Sequence, residues 1–343
     1  PACYLEKTVV LTVDPAITVN LGADQTICDY NTATFDAGAN FDSYIWSNGA
    51  TTQTISPTTT DTYSVTVTKG ACSKTDAADL TVNTRPSSNW VTTNFSYCGS
   101  AGISLSVTPV TGATYTWTKD GSAWGNSSET QAGATTGEYV LKVSKLGCDT
   151  TLVSKTVTGY ANPTYTITGD ATYCANQTIA PVVITFTTGT PNYTFTYTKD
   201  GGTPVTVTGH TSNTYNITTP ADGIYQLSGN VSDANCTVTA TTAKSEVIIN
   251  SIPASPGVTA KKYCVNDVPV ALTAVGSGLL WYTAATGGTG SVTPPAVVTT
   301  TAGKFHFYVS QTVAGCESDR ADLVVDVYAN PTPTITGDPD FKE

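Results

Sequence analysis

The chain has 343 residues, of which 12% are charged and 39% hydrophobic, and 68 are threonine. Its formal net charge is -11 and its sequence pI about 4.5, with no cluster of Lys and Arg to neutralise phosphates, so nucleic acid is excluded as a partner. The longest apolar stretches, such as "GLLWYTAA" at 278–285, fall well short of a bilayer crossing.

Threonine is β-branched, suits the half-buried surface of a strand and is a poor helix former, so the composition points to an all-β protein. Regularly placed Val, Ile, Leu, Tyr and Trp separate it from a disordered chain. Length alone suggests two or three domains, and internal repeats raise that to four. The sequence opens on Pro1 without an initiator methionine or signal peptide, and is read as an interior or mature segment of a longer protein.

In chain order, "ACYLEKTVVLTVDP" at 2–15 matches the ends of later repeats, and 1–14 is expected to close a preceding module. Four modules follow, at 15–84, 85–161, 162–252 and 253–330, and 331–343 is expected to open another. Each begins with a proline at a nearly fixed distance from a cysteine: Pro15 and Cys28, Pro86 and Cys98, Pro163 and Cys174, Pro253 and Cys264. An alternating apolar strand comes next, at 32–39, 103–110, 181–188 and 268–275, with the period of two that marks one buried face. A second strand carries an expected core aromatic, Trp46, Trp117, Tyr197 or Trp281, and runs into Gly, Asn and Asp turn residues. A third begins at Tyr63, Tyr139, Tyr225 or Phe305, with another cysteine 9, 9, 11 and 11 residues later. Strand after strand without helical periodicity predicts a tandem array of immunoglobulin-like β-sandwiches.

Apart from Cys3, the cysteines fall into ordered pairs, one per module: Cys28 with Cys72, Cys98 with Cys148, Cys174 with Cys236, and Cys264 with Cys316. Order suggests that pairing, while spacing alone does not fix connectivity. The CxxC or HxxxH spacing of a metal site is missing, and regular disulfides imply an oxidising, extracytoplasmic compartment. In antibody domains the cystine joins the two sheets at mid-strand. Here the first cysteine precedes the core strand and the second follows the tyrosine by too many residues, so a clamp near one end of each sandwich is expected. Cys3 is then the second cysteine of the preceding module, and Lys342 stands where the repeat register calls for a cysteine.

Residues with catalytic chemistry are sparse. The two histidines, His210 and His306, lie in different modules, and no nucleophile, base and orienting group converge, so no enzyme is expected. No cofactor is expected either; Asp36 and Asp42 are candidate calcium ligands, without a DxDxDG loop, and solvated turn aspartates are the simpler reading. Trp90 and Trp124 fall off the repeated aromatic position and are candidate contacts for a glycan or protein, against the plainer reading that they pack at a boundary or under a loop. Seven Asn-x-Ser/Thr tripeptides are formal glycosylation acceptors of a kind that arises by chance in a Thr/Asn-rich chain.

The string "LGADQTICDYNTATFDAGANFDSYIWSNGATTQTISPTTTDTYSVTVTKGAC" resembles the Ig-like repeats of very large cell-surface proteins of Bacteroidota, including gliding-motility adhesins exported by the type IX secretion system. The resemblance is strongest over 15–84 and extends in skeleton over the other modules. It implies export, attachment to the outer membrane through the parent protein, and service as a length of adhesin filament. The implied partners are other modules of the same chain and the anchoring or motility machinery; surface glycans or proteins are further candidates. It also implies O-glycosylation at Asp-Ser/Thr-aliphatic or threonine sites, with Thr150 in "DTT" as candidate acceptor. The function expected is a load-bearing stalk that spaces a binding tip. The alternatives are glycan- or protein-binding modules, or an accessory region of a secreted enzyme.

Overall fold

Alternation of threonine and serine with larger apolar residues becomes strand wherever one face can be covered. Along Asp61–Lys69, Tyr63, Val65 and Val67 are buried while Ser64, Thr66 and Thr68 face outward. The structure, a computed structural model, describes residues 3–4, 6–10, 13 and 16–334; Lys342 lies outside them. It divides into two compact units, Pro1–Ala161 and Asn162–Glu343, and among the described residues every regular element is a strand.

In the first unit, Gln25–Cys28, Cys72–Asn83, Asp61–Lys69 and Ser43–Trp46 form one sheet in that spatial order, and Phe35–Asp36 pairs with Thr54–Ile55 as the facing layer. The second sandwich repeats this: Ser96–Cys98, Lys155–Tyr160, Gly137–Lys145, Thr114–Lys119 and Ser122–Ala123 face the pair Ile103–Ser106 and Thr130–Ala134. In the second unit, Ala171–Cys174, Lys244–Asn250, Gly223–Ser232, Tyr193–Lys199 and Val205–His210 face a layer of Thr164–Thr168, Val182–Thr188 and Thr214–Ile217. Its second sandwich has the order Lys261–Cys264, Ala321–Tyr328, Gly303–Ser310, Leu280–Tyr282, with Gly257–Val258 and Ala274–Val275 opposite. Two sheets joined in this order, with the last strand of each sandwich between its neighbours, make an immunoglobulin-like fold.

Among the described residues, buried apolar side chains gather in four clusters, one per sandwich. Neither the Cys28–Cys148 nor the Cys174–Cys316 cystine crosses these cores. Phe35 and Val65, Leu105 and Leu141, and Ile184 and Leu227 fill the middle instead, each removing apolar surface worth about 1.5–3 kcal/mol per large side chain. Trp46, Trp117 and Trp281 are buried, and the indole N–H groups of Trp46 and Trp117 donate to the carbonyls of Thr52 (2.7 Å) and Ser128 (2.8 Å). Tyr197 departs from the expectation. It stands opposite Leu227, just as Trp117 stands opposite Leu141, yet it is only half-buried. Phe186, Tyr193 and Phe195 already fill that core, with Phe186 and Tyr193 stacked at 3.8 Å, and Tyr197 packs at its edge.

The tyrosine that opens the third strand anchors a corner in three sandwiches. The Tyr63, Tyr139 and Tyr225 hydroxyls donate to the carbonyls four residues back, of Thr59 (3.1 Å), Thr135 (2.8 Å) and Ala221 (3.1 Å). Phe305 takes the equivalent place in the fourth and keeps the packing without the hydroxyl.

Candidate functional site: the cystine junctions

The first cysteine of every sandwich ends a short strand that runs parallel to that sandwich's last strand. The register sets Cys28 opposite Asn83, Cys98 opposite Tyr160, Cys174 opposite Asn250 and Cys264 opposite Tyr328. The residue after each cysteine donates its N–H back to the carbonyl of that opposing residue, at 3.0, 2.9, 2.9 and 2.9 Å for Asp29, Gly99, Ala175 and Val265. The first cysteine is thereby held at the pole where the chain leaves its sandwich.

The second cysteine lies at the other pole. Cys72, Cys148 and Cys316 each follow a two-residue hairpin turn, paired with Lys69, Lys145 and Val313, and Cys236 sits in the turn between Ser232 and Thr237. Cys72 begins the strand that Asn83 ends, so at about 3.3 Å per residue some 35 Å separates it from Cys28. A disulfide needs Cα atoms about 4.4–6.8 Å apart. Pairing of Cys28 with Cys72 is therefore ruled out by the register of the short strand, which lies at the far end of the strand that Cys72 opens, and the ordered pairs expected from sequence are replaced. Cys28 bonds Cys148 and Cys174 bonds Cys316, not Cys72, Cys98, Cys236 or Cys264. Cys3, Cys72 and Cys264 are free thiols, while Cys98 and Cys236 are not free.

The Cys28–Cys148 and Cys174–Cys316 cystines each cross a junction, from the exit pole of one sandwich to the entry hairpin of the next in the same unit. The Cα–Cα distances are 5.5 and 5.6 Å. Cys148 and Cys316 are buried, at 0% and 1% exposure, so the junction closes over the sulfurs. Beside each bond the asparagine opposite the first cysteine reaches across. Asn83 Nδ2 donates to the Leu146 carbonyl (3.1 Å) and Asn250 Nδ2 to the Ala314 carbonyl (2.9 Å). Both acceptors belong to turns with two left-handed residues, Leu146 and Gly147 (φ 51° and 80°), Ala314 and Gly315 (φ 49° and 81°). Such turns match strand twist, and glycine occupies their second position without steric cost. In the first unit Thr150 Oγ1 also donates to the Pro86 carbonyl of the linker (2.6 Å), and Arg85 pairs with Asp29 (3.2 Å) while lying over the Tyr30 ring. In the second, Gln311 Nε2 donates to the Ala254 carbonyl (2.7 Å).

The remaining candidate residues go to structural tasks. Trp90 and Trp124 are half-buried against the second core, with Trp90 edge-on to Phe95 and Trp117, and Trp124 edge-on to Trp117 and Tyr139. The Trp90 indole N–H donates to the Val153 carbonyl (2.9 Å), in the gap between two segments of the last strand. Asp36 accepts from Gln53 Nε2 and the Gly38 N–H, which hold its carboxyl below the ordinary aspartate value, and Asp42 accepts from the Gly70 N–H. Among the described residues no group of His, Cys, Asp and Glu is placed to hold a metal ion. His210 contacts the Thr214 carbonyl and His306 contacts Asp322, in different sandwiches. The Thr150 hydroxyl, the candidate glycan acceptor, is engaged by the linker. Asn83, Asn250 and the left-handed turns carry the junction and are unmarked in sequence, except that each of these asparagines lies three residues before a linker proline.

Residues 253–331 match the family described as "Ig-like domain CHU_C associated". No curated protein matches the chain by sequence. Among solved structures, titin domains I67–I69 are similar over 66% of this chain and 96% of theirs, at 12% identity and a TM-score of 0.41. Sidekick-1 immunoglobulin domains 1–5 are similar over 91% and 80%, at 13% identity and 0.32. The ICAM-5 D1–D4 ectodomain fragment is similar over 86% and 91%, at 10% identity and 0.34. These likenesses are to tandem immunoglobulin domains and carry no argument about what the chain binds.

Proposed function

We propose that this chain is a load-bearing spacer, a stalk segment of a secreted cell-surface adhesin that holds a binding tip found elsewhere in the parent protein. One observation carries the reading: two cystines each tie the exit of one sandwich to the hairpin of the next. A binding or catalytic module has no need of a covalent bond across its domain junction, whereas a rod under tension does. The closed loops span 120 and 142 residues of sequence. Force applied along the backbone passes through the sulfurs and leaves the enclosed chain unloaded.

The sequence resemblance to Bacteroidota gliding adhesins, together with the family match over 253–331, supports the finer assignment. On that assignment the protein is exported by the type IX system, attached to the outer membrane through its parent chain, and moved or anchored by the motility machinery. The engagement of Trp90 and Trp124 in the second core weighs against the glycan-binding alternative.

Single-molecule pulling between the termini tests the mechanical reading. Under oxidising conditions the two enclosed loops contribute no extension. With reductant they add contour lengths of about 400 Å and 480 Å, at roughly 3.4 Å per residue. Equal extension in both conditions refutes the proposal.

A further inference from the structure

Every junction described above joins a strand-end cysteine of one sandwich to a hairpin cysteine of the next. Cys72 and Cys264 are left over at opposite ends of that scheme. Cys72 is a hairpin cysteine in the first of the four sandwiches, and Cys264 a strand-end cysteine in the last. We propose that these thiols are the outward halves of two further staples, each bonding the complementary cysteine of an adjoining immunoglobulin-like sandwich in the same polypeptide.

The seat at Cys264 is already built. Val265 donates its N–H to the Tyr328 carbonyl (2.9 Å) and Asp267 to the Cys264 carbonyl (3.1 Å). Around the bonded Cys174, Ala175 donates to Asn250 (2.9 Å) and Gln177 to Cys174 (2.9 Å); around the bonded Cys28, Asp29 donates to Asn83 (3.0 Å) and Asn31 to Cys28 (2.8 Å). Tyr328 stands where those seats have asparagine, and Tyr160 holds the same place opposite Cys98, which is not a free thiol. Cys72 pairs with Lys69 across its turn as Cys148 pairs with Lys145. It is half-buried, while Cys148 and Cys316, covered by a neighbouring sandwich, are fully buried. The terminal stretches of the sequence repeat internal ones, which is what adjoining sandwiches would require. "ANPTPTITGD" at 329–338 repeats "ANPTYTITGD" at 161–170, where Thr164–Thr168 opens the third sandwich, and 2–14 repeats the end of a module.

Each staple forms when two thiols lose two protons and two electrons to a disulfide oxidant, through a mixed disulfide that releases two thiols of the oxidant. The described bonds span 120 and 142 residues, which places the partner of Cys264 a like distance toward the C-terminus and that of Cys72 a like distance toward the N-terminus. The inference rests on reading the chain as part of a longer array. Its test reads connectivity without force, so its failure and that of the stalk reading are separable.

The full-length natural protein, alkylated with iodoacetamide and digested without reduction, is mapped by mass spectrometry. The Cys264 peptide is expected joined to one whose cysteine lies about 120–140 residues later, the spacing of the described bonds, just after a hairpin turn, with the mirror result for Cys72. An alkylated Cys264, or a Cys264 bonded to Cys72 or to a second copy of itself, overturns the proposal. In parallel, the 343-residue chain with oxidised glutathione should carry adducts at Cys72 and Cys264 and none at Cys28, Cys148, Cys174 or Cys316. Protection of Cys72 and Cys264 through a bond to each other also overturns it.

Discussion

Glu317 stands next to the buried Cys316 and accepts hydrogen bonds from the Ser310 and Tyr282 hydroxyls, which together hold its carboxyl below the ordinary glutamate value of 4.5. A carboxylate whose folded pKa lies below its unfolded one contributes stability that is fully present above the unfolded value and is lost as pH falls through the folded one. The urea midpoint of the second unit is therefore expected to stay level from pH 7 to about 5 and to drop below about 4.5. Glu317→Gln should make that drop shallower; an unchanged acid limb would show that other groups set it. At this scale much of the chain was legible. Trp46, Trp117, Trp281 and the corner tyrosines announce themselves because large apolar groups recur at fixed intervals in threonine-rich strands. Tyr197 did not, because three neighbouring aromatic rings compete for one core and only the folded geometry decides which is displaced. Asn83 and Asn250 were invisible, since an asparagine near a linker proline reads as an ordinary turn residue until its partner carbonyl is seen.

The hairpin and the short parallel strand are the elements that matter for the junction. In sequence Cys28 is only a cysteine that precedes the first core strand; that it ends a short strand of its own, paired with the far end of Cys72–Asn83, is not legible there. Pairing with Leu80–Asn83, the far end of the strand that Cys72 opens, sets Cys28 about 35 Å from Cys72, and the connectivity follows from that placement. The hairpin carries its own cost. Leu146 is exposed and holds φ 51°, a left-handed conformation that costs an L residue with a Cβ about 1–2 kcal/mol. Its carbonyl is the acceptor for Asn83, so the turn type fixes a junction contact. Leu146→Asn suits the first position of such a turn and is expected to raise the stability of the second sandwich by about 0.5–1 kcal/mol, with the cystine unaffected. Chemical denaturation of the two proteins checks this; a lower midpoint would mean that the Leu146 side chain contributes more than its exposure suggests.

For the whole molecule, a bond across a junction differs in kind from one inside a domain. A cystine within a sandwich restricts only that sandwich's unfolded chain. The Cys28–Cys148 loop encloses most of two sandwiches, and in the chain-entropy account a loop of that length is worth about 5 kcal/mol, shared between them. Neither can then extend without the other being constrained, so stability and mechanical continuity are coupled along the chain. Cys28→Ser combined with Cys148→Ser should lower the unfolding temperature of both sandwiches of the first unit together and split their calorimetric transition into two. The junction hydrogen bond from Asn83, worth about 0.5–1.5 kcal/mol, is too weak to keep them coupled alone. A pairing confined to single sandwiches predicts the opposite pattern, with the Cys28→Ser and Cys148→Ser replacements each weakening one sandwich and leaving its neighbour's transition in place.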